Sequence, residues 1–316
     1  MPKLFKIILS TITAILLIGL VYQQTCAYID SQTFKPNGKF SQVGNIEMYS
    51  ETVGDGPVTV VFDSGMGHSL LVWRDVINGL SSSFKTFAYD RAGLGYSGKS
   101  QKPRTSQIMV NELHALLQAQ SIEGPLILVG HSFGGLNVQL FAKTYPEQVK
   151  GLVLVESIHP DYLSYIPPQP SWRRKRLTIG KWLAPFGVPR LYLSGNDAHH
   201  KAVMTTVKHQ YTSLDEAKHL EESTNQVASL VNNLGSLPII ILARNTASAQ
   251  LKSTLSAQNQ NVKWAELQER FLGLSNNATI IYSQERRHSI HRLQPALVIK
   301  AVEHISESIH HKNGLF

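Results

Sequence analysis

The stretch Pro125-Leu126-Ile127-Leu128-Val129-Gly130-His131-Ser132-Phe133-Gly134-Gly135-Leu136 decides the fold. Its first five residues form an unbroken apolar run, which suits a strand covered on both faces of a sheet. A helical apolar pattern, from Leu136 to Tyr145, starts almost immediately afterwards. The residues between must therefore reverse the chain in a tight turn, and Gly130 and Gly134 leave the room that side chains two positions either side of Ser132 would fill. Strand, glycine-flanked serine and helix in that order push Ser132 into the open at a strand end. The helix that follows directs its N-terminal dipole at the same spot, which favours negative charge developing there.

Working outward, the pattern repeats. Val58 to Phe62, Phe84 to Tyr89, Val149 to Val155, Leu237 to Ala243 and Ala278 to Tyr282 are further apolar strands. Two more strand-like stretches precede them, punctuated by Gly44-Asn45 and Gly54-Asp55-Gly56-Pro57. Thr105 or Ser106 caps a helix carrying Val110, Leu113, Leu116 and Leu117, and an amphipathic helix from about Pro295 to Ile309 closes the chain. Strands alternating with helices predict a mostly parallel sheet. Between the strands ending at Val155 and starting at Leu237 lie about 80 residues, too many for an ordinary crossover, so a helical cap is expected there. The cap opens with Pro160, Pro167, Pro168 and Pro170, carries the basic run Arg173 to Arg176 behind Trp172, and has helix-like stretches around 199–233. The expected division is 1–27 N-terminal segment, 28–39 linker, 40–156 first part of the core, 157–236 cap and 237–316 second part of the core.

The N-terminal segment has Lys3 and Lys6 followed by a charge-free apolar run from Ile7 to Tyr22. Such a run is an uncleaved membrane anchor, with Leu4 and Phe5 extending it, or a signal peptide removed near Thr25-Cys26-Ala27. Both alternatives leave the positive residues inside and the body outside the cytoplasm. The formal charge of +8 over 316 residues is spread along the chain and suits anionic lipid headgroups better than nucleic acid, for which no recognition pattern is present. The single cysteine, Cys26, excludes an internal disulfide framework.

With these elements placed, the chain from about Phe40 to Ile309 resembles the α/β-hydrolase superfamily. Gly130-His131-Ser132-Phe133-Gly134 is similar to its nucleophile elbow, and Asp63-Ser64-Gly65-Met66-Gly67 to its oxyanion loop, with Ser64 where many members have histidine. Tyr89-Asp90-Arg91-Ala92-Gly93-Leu94-Gly95-Tyr96-Ser97 resembles a structural turn of the same family, so Asp90 and Arg91 are expected to fix a loop. The resemblance implies an α/β-hydrolase fold: an eight-stranded, mostly parallel sheet flanked by helices, with the cap after strand six.

It also implies serine acyl chemistry. A serine hydroxyl attacks well only when a histidine takes its proton. His288, in His288-Ser289-Ile290-His291-Arg292-Leu293-Gln294-Pro295 after the last strand, fits that role, and His291 is expected farther into the loop, facing solvent. His199, His200, His310 and His311 read as solvated. The customary place for the acid, after Ala243, has none, whereas Glu156 ends the preceding strand, where some members carry the acid; Asp161 and Glu266 are the competitors. The amides of Phe133 and Met66 would make the oxyanion hole.

No H-E-x-x-H spacing is present, and neither a metal nor a cofactor is expected. The implied reaction is hydrolysis of a carboxylic ester or thioester, with a small-molecule or lipid-like acyl substrate and the membrane as partners. C–C bond hydrolysis, lactone or amide hydrolysis on the same triad, or a membrane-tethered binding protein without turnover, are the alternatives.

Overall fold

A computed structural model describes residues 3–166, 178–193, 197–245 and 255–311. Eight strands form one sheet: β1 (Lys39–Val43), β2 (Ile46–Val53), β3 (Thr59–Asp63), β4 (Lys85–Tyr89), β5 (Leu126–His131), β6 (Val149–Val155), β7 (Ile239–Arg244) and β8 (Ala278–Ser283). Their spatial order is β1-β2-β4-β3-β5-β6-β7-β8. The β1–β2 and β2–β4 pairs are antiparallel and every later pair is parallel.

Alternation along the strands divides the core. Leu126 and Leu128 of β5 face one apolar layer and Ile127 and Val129 the other, as the two-residue side-chain period requires. Helices α3 (Ser106–Ala119) and α4 (Gly134–Thr144) cover the first face; α2 (Arg74–Leu80) and α12 (Pro295–His311) cover the second. A central strand buried on both sides has no polar face, which is why β3, β5 and β6 read as apolar runs.

Between β6 and β7 the described residues form α5 (Tyr162–Tyr165), α6 (Val188–Tyr192), α7 (Ala198–Met204), α8 (Val207–Lys218) and α9 (Leu220–Leu230). The proline-broken and basic stretch from Pro167 to Arg176 lies outside the described residues. Helix α9 packs on α3 and α4, and the hydroxyl of Ser223 accepts the Ser106 N–H at the start of α3 at 3.0 Å. That contact satisfies an orphan donor of the helix terminus that Thr105, at the N-cap, does not bond with its side chain. After β7 come α10 (Leu255–Arg270), then β8, a short helix α11 (Ile290–Leu293) and α12.

At the other end of the chain, α1 (Lys3–Thr33) is one continuous helix, apolar and long enough to cross a membrane, as an anchor or a signal sequence would be. Its outer half exposes Leu4, Ile7, Ile15 and Ile18. Residues 28–33, expected as part of a linker, are instead its last turns, because they pack on the body: Asp30 pairs with Arg190 at 2.7 Å.

Candidate active site

Ser132 sits between β5 and α4 with φ +52°, one of three non-glycine residues at positive φ among the described residues. L-residues adopt that region at a cost, so it persists only where the surroundings fix it. The fixing is visible: the Ser132 N–H bonds the Val155 carbonyl at 3.1 Å, and its carbonyl accepts Gly135 N–H and Ile158 N–H. A Cβ on Gly134 would sit 2.3 Å from the Asp63 carbonyl oxygen, so the turn closes only with glycine there.

Glu156, the residue after β6, is a second of those positive-φ positions, at +47°, and is wholly buried. Its Oε2 lies 3.1 Å from His288 Nδ1, its Oε1 accepts the Arg244 N–H at 2.8 Å, and the Arg244 guanidinium is 3.4 Å away. A carboxylate can only accept, so Nδ1 of His288 carries the proton and Nε2 is left as the basic nitrogen. The His288 ring lies 4.7 Å from that of His131, the neighbour of Ser132, and Trp264 meets it edge to face at 5.5 Å. Of the competitors, Asp161 pairs with Arg270 at 2.8 Å on the surface, and Glu266 is exposed on α10. Ser132, His288 and Glu156 are thus brought to one strand-end region, and Asp161 and Glu266 are not in contact with His288.

His291 does not face solvent. It is fully buried against Trp73 at 4.6 Å and His131 at 4.2 Å between ring centroids, because α11 turns that side chain inward beside Ile290. Burial and the adjacent histidines hold the rings of His131 and His291 well below their ordinary pKa, so both are neutral at pH 7. His131 Nε2 meets the His288 carbonyl at 3.1 Å and must be the donor, so it fastens the loop that carries His288. His199 and His200 are half-buried rather than solvated; the Arg74 guanidinium meets His199 at 2.7 Å. The side chains of His310 and His311 lie outside the described residues.

The 63–68 loop beside the elbow is held from below and above. Arg91, buried, donates to Asp63 at 2.5 Å, to the carbonyls of Ser64 and Gly65, and through Nε to Glu216 of α8 at 2.8 Å; its guanidinium also lies 5.7 Å from the Phe133 ring centre. Burial works against the Arg91 charge, but Glu216 and Asp63 outweigh it and raise its pKa. Glu216 Oε2 accepts the Gly67 N–H at 2.7 Å. Beside it, His209 Nε2 donates to the Gly67 carbonyl at 2.8 Å while Nδ1 accepts the Gly95 N–H at 3.1 Å, which fixes one tautomer. Asp90 accepts Leu70 and Tyr96 N–H groups, each at 2.8 Å, and so does fix its loop. The Gly67 and His68 amides are committed, to Glu216 and to the Gly65 carbonyl at 3.1 Å. Neither Glu216 nor His209 was discernible beforehand: each lies more than a hundred residues from its partner, and only the folded chain joins them.

Sheet order, the strained serine after β5 and the helical segment after β6 define an α/β-hydrolase. The family model for the alpha/beta hydrolase fold matches residues 58–299, so the chain belongs to that family and is an enzyme. It is 27% identical over 251 residues to the Bacillus subtilis protein YqjL, covering 79% of this chain and 83% of that one. A shorter match, 30% over 121 residues, is to the 2-hydroxy-6-oxo-6-(2'-aminophenyl)hexa-2,4-dienoic acid hydrolase of Metapseudomonas resinovorans, covering 38% of this chain and 42% of that one. In solved structures the fold recurs in the Cif epoxide hydrolase of Acinetobacter nosocomialis, with a TM-score of 0.71 at 15% identity over 90% of this chain and 96% of that one. It recurs also in Cfl2 of Burkholderia cenocepacia, with a TM-score of 0.67 at 22% identity over 84% and 94%.

Proposed function

We propose that this enzyme is a serine hydrolase cleaving a carboxylic ester or thioester through an acyl-enzyme on Ser132. The observation that carries the reading is the wholly buried Glu156 carboxylate 3.1 Å from His288 Nδ1, in the region of the strained Ser132. In this reading His288 Nε2 removes the Ser132 hydroxyl proton as Oγ adds to the acyl carbon. Glu156 stabilises the resulting imidazolium and holds its tautomer. The tetrahedral oxyanion is received by the N–H groups of Phe133 and Met66, and each such donor is typically worth about 10²–10³ in rate. Collapse expels the alcohol or thiol, which takes the proton from His288. Water, deprotonated by the same nitrogen, then adds to the acyl carbon, and collapse breaks the Oγ–C bond, releasing the carboxylic acid while His288 returns the proton to Ser132 Oγ.

The segment between β6 and β7 acts as the cap over this site, and its α8 braces the oxyanion loop. A serine at the elbow is the feature that separates this reading from epoxide hydrolase or dehalogenase chemistry, whose nucleophile in this superfamily is an aspartate. The apolar α1 supports a membrane anchor, with the body outside the cytoplasm by the positive-inside bias of Lys3 and Lys6, and hence a lipid-like acyl substrate. The test is to screen p-nitrophenyl esters of increasing chain length against the purified full-length protein and Ser132→Ala. Hydrolysis by the parent and not by the variant is expected; equal rates for the two reject the reading.

A further inference from the structure

Helix α1 is not tethered loosely to the body. Gln23 is buried, its Nε2 reaching the Thr205 carbonyl at 3.3 Å and its Oε1 accepting from Arg190 Nε at 2.9 Å. The Arg190 guanidinium pairs also with Asp30 two turns along, at 2.7 Å. One turn before Gln23, a Cβ on Gly19 would lie 2.8 Å from the Phe186 carbonyl, so α1 and the 184–186 turn meet backbone to side. Past the helix, the Phe34 carbonyl accepts the Tyr96 hydroxyl at 2.7 Å and its ring stacks on His199. The direction of α1 relative to the cap is fixed at both ends of this contact.

That geometry sets the depth of the cap. Leu4 to Tyr22 spans about 28 Å at 1.5 Å per residue, close to the thickness of a hydrocarbon core. Phe186 contacts α1 at Gly19, a turn inside the end of that span. In the chain Phe186 is preceded by Ile179 and Trp182 and followed by Leu191, exposed by 55%, 66% and 76%. Lys181 lies between the first two in the chain, its ammonium 4.2 Å from the Tyr211 ring centre and 5.6 Å from that of Trp182. Exposed large apolar side chains, a tryptophan and a lysine, all close in sequence to the turn where the body meets a spanning helix, are the composition that lipid interfaces favour.

We propose that this cap face is a bilayer-contacting surface, with Ile179, Trp182 and Leu191 inserted among the headgroups and α1 retained as the strut that holds them there. Removal of residues 1–27 would strip Gln23 from Arg190 and uncover the 184–190 surface, so the helix belongs to the folded protein. The proposal sharpens the anchored reading above but does not depend on the acyl chemistry, and its readout is independent of turnover.

The test uses the full-length protein carrying Cys26→Ser, with either Leu191→Cys or Trp182→Cys labelled with an environment-sensitive fluorophore, in vesicles of equimolar phosphatidylcholine and phosphatidylglycerol. Lys143→Cys is the reference: α4 starts at the elbow and runs back against β5, so its last turn lies toward the N-terminal end of β5, at the other end of that strand from Ser132. Blue-shifted emission at Leu191 or Trp182, lost on adding lipids with a quencher near the headgroup while the Lys143 label stays unquenched, is the expected result. Labels at both cap positions that behave like the Lys143 label, in protein that remains vesicle-bound, overturn the proposal. So does a mature protein whose N-terminal sequence begins near Tyr28. Ester turnover in the same samples separates a failure here from a failure of the hydrolase reading.

Discussion

Replacing Glu216 by glutamine probes how the cap supports the site. The side chain keeps its volume but loses its charge, and its amide nitrogen must face either the Gly67 N–H, now 2.7 Å from Oε2, or Arg91 Nε, now 2.8 Å from Oε1. Both are donors, so one contact becomes repulsive whichever way the amide is turned. Breaking a buried pair by removing one partner costs about 3–5 kcal/mol; Asp63 still balances Arg91, so about 3 kcal/mol is expected. For a chain of 316 residues that corresponds to a fall in melting temperature of roughly 4–5 °C.

The same change loosens Gly67, next to the Met66 amide, and a displacement on the ångström scale there reduces kcat by about 10- to 100-fold with little change in KM. Circular dichroism melts and ester kinetics below the melting range measure the two effects separately. A Glu216→Gln protein with the parent melting temperature and the parent kcat refutes the assignment of Glu216 as a positioning residue.

Further outcomes follow from the same geometry. Glu156→Gln should lower kcat by roughly 10³–10⁴-fold on an activated ester, since a neutral amide neither fixes the His288 tautomer nor stabilises the imidazolium; stopped assays at pH 7 reporting near-parent kcat reject it. Arg190→Ala should release α1 from the cap, read as faster hydrogen exchange across residues 184–205 in the full-length protein, and unchanged exchange contradicts the contact.

Stability should also fall with acid. The buried ring of His209 is held at about 4, and burial likewise depresses His131 and His291. Below about pH 6.5 the unfolded chain therefore binds protons that the folded one does not, and stability, fully present above that pH, is lost progressively toward pH 4. The His209 contribution alone is about 3 kcal/mol. Asp90, raised to about 6 by burial, and Asp63, also raised by burial, act in the opposite sense, but His68, His159 and His200 are depressed by burial as well and the histidines outnumber the acids. Urea midpoints at pH 7 and pH 5 should differ accordingly, and a higher midpoint at pH 5 contradicts the balance.

The strands and the elbow were legible in the sequence because they are local: a few consecutive residues carry both the apolar run and the glycines of the turn. The contact of Glu156 with His288 was legible for a different reason, the absence of any acid from Ala243 to Gln250 together with a carboxylate closing the preceding strand. The burial of His291 has no local signal, because it depends on Trp73 and His131, brought to it by two distant segments. The brace formed by Glu216, His209 and Arg91 left no local signal either. In the sequence Glu216 is one polar residue on a mixed helix, and only the close approach of α8 to the 65–68 loop gives it a role. The same holds for Gln23 and Arg190, whose partnership turns an apolar N-terminal run into a structural element of the cap.

The most direct measurement is intact-protein mass spectrometry after exposure to a fluorophosphonate, with peptide mapping of the adduct. A single stoichiometric adduct on Ser132 is expected, absent in Ser132→Ala and formed far more slowly in His288→Ala. A folded protein that takes up no label, or takes it up at another serine, contradicts it.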